Sequence, residues 1–164
     1  MHSCNNEVYY VQNPALGAVI IWRFIVGYWN NSNKPVTFLL LFIILPVIFR
    51  EDFVDLIIKT KKSSGLIKFS NKVFEGKKVD VLYELNNTMF KLRELTLNSI
   101  KIGITYGLFS VEADKANVYT NISINIDKQF SHETRRLLTA SERFGIWCSQ
   151  LSLMEICALL KVRF

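Results

Sequence analysis

Asn13-Pro14-Ala15-Leu16-Gly17-Ala18-Val19-Ile20-Ile21-Trp22-Arg23-Phe24-Ile25-Val26-Gly27-Tyr28-Trp29 is followed, after a polar break, by Pro35-Val36-Thr37-Phe38-Leu39-Leu40-Leu41-Phe42-Ile43-Ile44-Leu45-Pro46-Val47-Ile48-Phe49. No later part of the chain is so apolar, so the stretch either lies in a bilayer or forms the core on which the rest packs. A spanning helix needs about 20 apolar residues, whereas a run of about 10–14 is more often a buried helix. Val36 to Phe49 gives 14 uncharged residues before Arg50-Glu51-Asp52 stops the run. Pro46 would kink a helix there. Arg23 sits in the middle of the first segment, and a charge at mid-bilayer costs roughly 2.5–3.5 kcal/mol on insertion scales. The stretch therefore reads as two core helices joined by a turn over Asn30 to Lys34. Any surplus apolar face would belong to a permanent subunit interface, because obligate interfaces resemble a core cut in half.

On the N-terminal side, residues 1–12 form a polar lead-in with a short extended piece, Val8-Tyr9-Tyr10-Val11. Asn13 then suits an N-cap and Pro14 the first helical position. Leu16, Ile20, Phe24 and Tyr28 recur at four-residue spacing and give the helix one apolar face. Gly17 and Gly27 would allow another backbone to approach closely.

On the C-terminal side, Arg50 to Thr60 reads as a helix with Phe53, Leu56 and Ile57 inward. Ser63-Ser64-Gly65 breaks it, and a short helix from Leu66 to Phe74 follows, with Ile67, Phe69, Ser70, Val73 and Phe74 on its inner side. Helix, short turn, helix is the order of a helix-turn-helix, and also the commonest unit of any helical domain. Val79 to Glu94 predicts a longer helix through Leu82, Leu85, Met89 and Leu92. Thr96 can cap another, with Leu97, Ile100 and Ile104 inward and Gly107 just past its end. The period then changes. Leu108 to Val111 and Val118 to Ile122 flank a turn-rich segment and predict a β-hairpin. Ser131 caps a further helix, with Glu133 in its first turn. The inward positions are Leu137, Leu138, Ser141, Phe144, Trp147, Cys148 and Leu151. Ser152 with Glu155 forms a capping box for the last helix, whose apolar positions are Met154, Ile156, Leu159 and Leu160. The apolar end, Lys161-Val162-Arg163-Phe164, is expected to be docked on this chain or on a partner, since loose termini are normally polar.

The expected fold is mainly α: a compact helical domain with a small β-hairpin, in the parts order of a winged-helix domain. One domain covers 1–164, divided into the lead-in 1–12, a helical core 13–106, the hairpin 108–122 and C-terminal helices 131–164. At 164 residues, with 50% hydrophobic and 13% aromatic side chains, the chain can bury a core of its own. Cysteines at 4, 148 and 157 are odd in number and show no ligand spacing, which fits buried free thiols in a reducing cytoplasm. No basic region followed by an apolar one opens the chain, so no signal peptide is expected.

Chemistry-bearing patterns are sparse. His2 and His132 stand apart, the latter at a helix start. Neither belongs to a metal-ligand spacing. The glycines are isolated, without a phosphate loop, and no Gly-x-Ser-x-Gly elbow occurs. No catalytic residue and no metal ligand is assigned, and the chain is expected not to be an enzyme or to carry a cofactor.

Charge is the stronger signal. The net charge is +6, and the segment Lys59 to Lys78 holds seven lysines against one acid, Glu75, so the rest of the chain is about neutral. The bland reading is a solvated helix face. The functional one is contact between Lys59, Lys61, Lys62, Lys68 and Lys72 and nucleic-acid phosphates, of the backbone kind because arginines and stacking aromatics are not interleaved. Candidate partner-binding residues are Trp22, Arg23 and Tyr28 on the first helix and Leu159, Leu160, Val162, Arg163 and Phe164 at the tail.

Several pieces recur together: Asn13-Pro14-Ala15 leading to Trp22-Arg23-Phe24 and Gly27-Tyr28, the apolar helix ending at Pro46, Lys62-Ser63-Ser64-Gly65-Leu66, Leu95-Thr96, and Leu151-Ser152, Glu155-Ile156 and Leu160 to Phe164. In this order, over nearly the whole chain, they resemble the small middle-component family of bacterial ABC-three-component systems. That group is similar to the accessory subunit of Lamassu-type anti-phage and anti-plasmid defence. The resemblance implies a non-catalytic adaptor between an SMC-like coiled-coil ATPase, where ATP and Mg would bind, and an effector such as a nuclease. DNA would be met through the complex, in the cytoplasm and without a membrane. A stand-alone winged-helix DNA-binding regulator is the alternative.

Overall fold

In the computed structural model, which describes residues 13–75, 80–124 and 130–164, the chain turns helical at Pro14. Asn13 caps this helix through its Oδ1, which accepts from the Leu16 N–H at 3.0 Å, and Pro14 occupies a position whose N–H would otherwise be an orphan. The helix, α1 (Pro14–Ser32), ends at Asn33 in the left-handed region, whose N–H donates to Trp29 O at 2.7 Å. Then come β1 (Val36–Thr37), α2 (Leu41–Ile48), α3 (Glu51–Lys59), α4 (Gly65–Phe74), α5 (Asp80–Lys91), α6 (Arg93–Thr105), β2 (Phe109–Glu112), β3 (Asn117–Thr120), α7 (His132–Cys148) and α8 (Leu153–Leu160). The mainly helical expectation with a small hairpin holds. The extended piece Val8 to Val11, His2, Cys4, Lys77, Lys78 and the side chain of Leu82 lie outside the described residues.

α1 is the axis of the packing: α7, α6, α2, β1 and β3 all rest on it. Ile20, Ile21, Trp22, Phe24 and Ile25 are buried, so the apolar face is wider than one stripe. Two glycines, one on each helix, bring the α1 and α7 backbones together. A Cβ at Gly27 would collide with the carbonyl oxygen of Glu142 on α7, and one at Gly145 of α7 with the carbonyl oxygen of Phe24. At the other end a Cβ at Gly17 would collide with the Ser99 hydroxyl of α6. The α1–α7 seam is completed by the Ser141 hydroxyl, which donates to Ile20 O at 2.8 Å in a fully buried position, and by the Phe24 and Phe144 rings, 5.4 Å apart.

Three readings change. The second apolar segment is not one helix. Val36-Thr37 pairs with Val118 and Asn117 as an edge strand, and a short 3₁₀ turn, Phe38–Leu40, leads into α2. The β-branched pair suits a strand, and Val36 is fully buried. The hairpin β2–β3 thereby becomes a three-stranded antiparallel sheet in the order β1-β3-β2, with Val111 opposite Val118. Second, the helix expected from Val79 to Glu94 breaks at Leu92, and α6 begins at Arg93, so Thr96 is no cap but a buried residue of the helix. Third, α6 turns Thr96, Ser99, Ile100 and Gly103 inward, and leaves Leu97 and Ile104 exposed. The reason is steric: Ser99 faces Gly17, and the Phe109 ring sits where a Gly103 side chain would be, so beside Ile100 this interface takes small residues. Ile67 and Met154, likewise expected inward, are 55% and 83% exposed.

The chain end is docked on this chain. Ser152 and Glu155 form the expected capping box on α8, with Glu155 Oε2 accepting from the Ser152 N–H at 2.7 Å. Those bonds from the Ser152 backbone and hydroxyl hold the Glu155 carboxyl below its ordinary pKa. Val162 and Leu160 are buried, and Asn86 of α5 clasps the tail on both sides. Its Nδ2 donates to Lys161 O at 2.9 Å and its Oδ1 accepts from the Arg163 N–H at 3.0 Å.

Helix propensity alone makes Gly→Ala in a helix favourable by about 1 kcal/mol. At Gly27 and Gly145 the expected sign is opposite, with a loss of about 1–3 kcal/mol or more from overpacking, measured by urea unfolding of each variant. A gain in stability at both positions would show that the two helices do not touch at their backbones.

Candidate interaction surfaces

The turn between α3 and α4 carries the lysines and is built from inside by α7. The Arg143 guanidinium donates from one nitrogen to three carbonyl oxygens, Ile57 at 3.0 Å, Ile58 at 2.7 Å and Thr60 at 2.9 Å. These are the carbonyls that a helix end leaves without an internal partner, and a cation there also meets the negative end of the helix dipole. Next along the chain, the buried Trp147 donates its indole N–H to Lys62 O at 2.9 Å. Lys62–Ser64 forms a 3₁₀ turn, and Gly65, at φ +70°, starts α4 from a conformation that favours glycine. Lys72 closes the arrangement, with its Nζ 3.4 Å from the Thr60 hydroxyl. Lys59, Lys61, Lys62, Lys68 and Lys72 are all exposed.

The first-helix candidates sit elsewhere and face inward. Trp22 is buried and donates its indole N–H to Asn121 O at 3.3 Å. Arg23, half-buried, lies 3.5 Å from the Glu142 carboxylate of α7 and 5.6 Å from the Trp22 ring. Tyr28 is half-buried against Phe24. Burial, then the neighbouring Cys148, pushes its phenol above the ordinary pKa. At the tail, Leu160 and Val162 are buried, while Leu159 is half-buried with its carbonyl accepting from the Ser70 hydroxyl at 2.6 Å. Arg163 and Phe164 are exposed. The structure thus brings the lysines together and separates the first-helix group from the tail.

Sequence reading missed an apolar outer surface. Leu97 and Ile104, two turns apart on α6, lead to Tyr106, 77% exposed, and across the sheet corner to Ile122. Asn121 fastens that corner, its N–H donating to Leu108 O at 3.0 Å and its side chain to Gly107 O at 3.2 Å. The signal was a second apolar stripe on α6, offset from the inward one. A shallow cleft of about 290 Å³ lies beside it, lined by Ile104, Phe109 and Tyr119.

Two further clefts differ in character. One of about 430 Å³ runs between α4 and α8, lined by Ser70, Asn71, Phe74 and Leu159. The other, about 810 Å³, lies between α3 and α5 and mixes Glu51, Asp52, Asp55 and Glu84 with Arg50 and Lys91. There Arg50 pairs with Asp52 and with Glu84, each at 3.0 Å, and its guanidinium stacks 4.1 Å from the Phe53 ring. Burial works against the Arg50 charge, but Asp52 and Glu84 outweigh it and raise its pKa above the ordinary value. Asp55 is paired to Arg136 of α7. Asp52, Asp55 and Glu84 are thus tied to arginines, and these pairs link α5 and α7 to α3. Among the described residues no group of three or more His, Cys, Asp or Glu is placed to hold a metal ion. No described helix is long and apolar enough to cross a membrane.

Against protein-family models, residues 1–164 match the ABC-three component (ABC-3C) system Middle Component 3. The chain belongs to that family. No curated protein and no solved structure matches it. The family places the chain as an accessory component of a multi-component system, which implies partner components.

Arg143→Met keeps the aliphatic stem and removes three carbonyl contacts. The expected loss is at least about 1.5–3 kcal/mol, the scale of hydrogen bonds to a charged group, with the amides of the 60–64 turn exchanging faster with deuterium. Unchanged stability and exchange would mean that the turn holds its shape without α7.

Proposed function

We propose that this chain is a non-catalytic adaptor of an anti-phage or anti-plasmid defence complex of the Lamassu type. It links an SMC-like coiled-coil ATPase, which binds ATP and Mg, to an effector such as a nuclease, and the assembly acts on DNA in the cytoplasm. The observation that carries this reading is membership of the middle-component family over the whole chain. The geometry supports it in one further way. An adaptor needs two faces, and the chain exposes apolar side chains on separate elements: Leu97, Ile104 and Tyr106 with Ile122 on one, and Met154 and Phe164 at α8 and the tail on another. Exposed large apolar side chains such as these are the groups a partner surface would use.

The alternative of a stand-alone winged-helix regulator is less well supported. Such a regulator would present a basic helix beside its hairpin. Here the basic helix α4 packs on α3, α7 and α8, whereas the strands pack on α1 and α6. The helix that runs into the hairpin, α6, shows Leu97 and Ile104 outside, with Lys101 between them.

The test is co-expression with the ATPase and effector encoded beside it, followed by affinity capture. Tyr106→Asp with Ile122→Asp changes exposed side chains, so stability is expected to stay within about 0.5 kcal/mol. Capture of one partner is expected to be lost and that of the other kept. Phe164→Asp is expected to release the other partner. An intact three-protein complex from both variants would sink the adaptor reading, as would the absence of a coiled-coil ATPase gene nearby.

A further inference from the structure

We propose that this chain itself holds a nucleic-acid duplex, through a sequence-independent phosphate platform formed by Lys59, Lys61, Lys62, Lys68 and Lys72. The first observation is convergence. The Lys72 ammonium lies 3.4 Å from the Thr60 hydroxyl, and so reaches back to the turn that carries Lys59, Lys61 and Lys62. Lys68 stands one helical turn before Lys72 on α4 and is exposed with it. The second is the absence of countercharge: among the described residues the ion pairs involve Arg23, Arg50, Lys115 and Arg136, and none of these five lysines. Glu75, one turn beyond Lys72, is not drawn in. Like charges gathered without carboxylates repel one another until an anion joins them. The third is rigidity. Arg143, Trp147 and the Ser64 N–H, which donates to Lys61 O at 3.0 Å, fix the backbone that bears the lysines. A fixed platform loses little freedom on binding.

The form of the platform selects the ligand. The lysines stand exposed at the end of α3, on the following turn and along α4, an arrangement that suits an extended polyanion better than a nucleotide or free phosphate. Lysine offers a point charge to phosphate, and the arginine that supports this turn, Arg143, is committed inward to carbonyls and is not a bidentate reader of base edges. Phe69, on the same helix, is buried against Phe53 and Trp147 and so offers no stacking ring to an unpaired base. A duplex backbone, read without regard to sequence, is the polyanion that fits.

This inference does not rest on the adaptor reading, because partner capture and DNA binding are separate measurements on the same chain. The experiment is fluorescence anisotropy of the full chain with two unrelated 30-base-pair duplexes over a salt series. If all five lysines engage, affinity is expected to fall about 500-fold between 50 and 200 mM salt. With Lys61→Gln, Lys62→Gln and Lys68→Gln together, that fall shrinks to about 12-fold and binding at 50 mM weakens more than tenfold, circular dichroism staying unchanged. The matching Lys→Glu triple is expected to bind more weakly still. Lys34→Glu with Lys101→Glu, on other elements, should leave binding as it was. The proposal is overturned by no binding at 50 mM, by an unaffected triple variant, or by equal loss in the Lys34/Lys101 variant. A more than tenfold preference for one sequence or for single strands overturns it too, as does binding to phosphatidylserine vesicles that duplex DNA does not displace.

Discussion

Backbone-to-backbone contact between α1 and α7 is the constraint on which the rest depends. Gly27 and Gly145 remove the side chains that would hold the helices apart, so each meets a carbonyl of the other helix. Ser141 then reaches Ile20 O, and Phe24 meets Phe144, without leaving a gap. Helices at ordinary spacing are separated by their side chains, about 8–10 Å axis to axis. The closer approach brings α7 deep enough to serve as a second internal support. Its other side carries Arg143 and Trp147 to the turn after α3 and Arg136 to Asp55. Polar side chains of one helix therefore set the path of a surface turn whose own sequence is mostly lysine and serine.

A division of labour follows. The inner faces of α1 and α7 are spent on packing, and the groups available to other molecules lie on the later elements: the α3–α4 turn, the outer side of α6, and the tail. Trp22 and Tyr28, aromatic residues on a helix with apolar surplus, looked like partner anchors. Trp22 instead carries the sheet corner, because its indole N–H must find an acceptor once buried and Asn121 O supplies it. Asn121 in turn holds Gly107 and Leu108, the point where α6 gives way to the sheet.

Local signals were legible where a cap or a turn residue fixes the chain by itself. Asn13-Pro14, Ser131, the Ser152–Glu155 box and Gly107 mark boundaries that the structure keeps. The lysine cluster was also legible, since charge declares itself in composition. What could not be read was anything decided by a neighbour distant in sequence. Val36-Thr37 is a strand because Val118 lies alongside, and nothing within an unbroken apolar run marks where helix replaces strand. On α6 the apolar period pointed Leu97 and Ile104 inward, whereas the proximity of Gly17 and Phe109 admits only Thr96, Ser99 and Gly103 beside Ile100. Hydrophobicity predicts the buried side of a helix only while the space it faces is large enough for large side chains.

The same seam fixes an order of events during synthesis. Ile20 and the hydroxyl that completes its carbonyl are separated by 121 positions. At about 5–20 residues per second, roughly 6–24 s pass between the two emerging from a ribosome. Throughout that interval the central apolar helix has been made and its principal cover has not. Non-local closure of this kind is slow and leaves the nascent chain adhesive. The interval is long enough for another polypeptide to meet α1 before α7 does, so when the companion components are made bears on which surfaces this chain ends up burying.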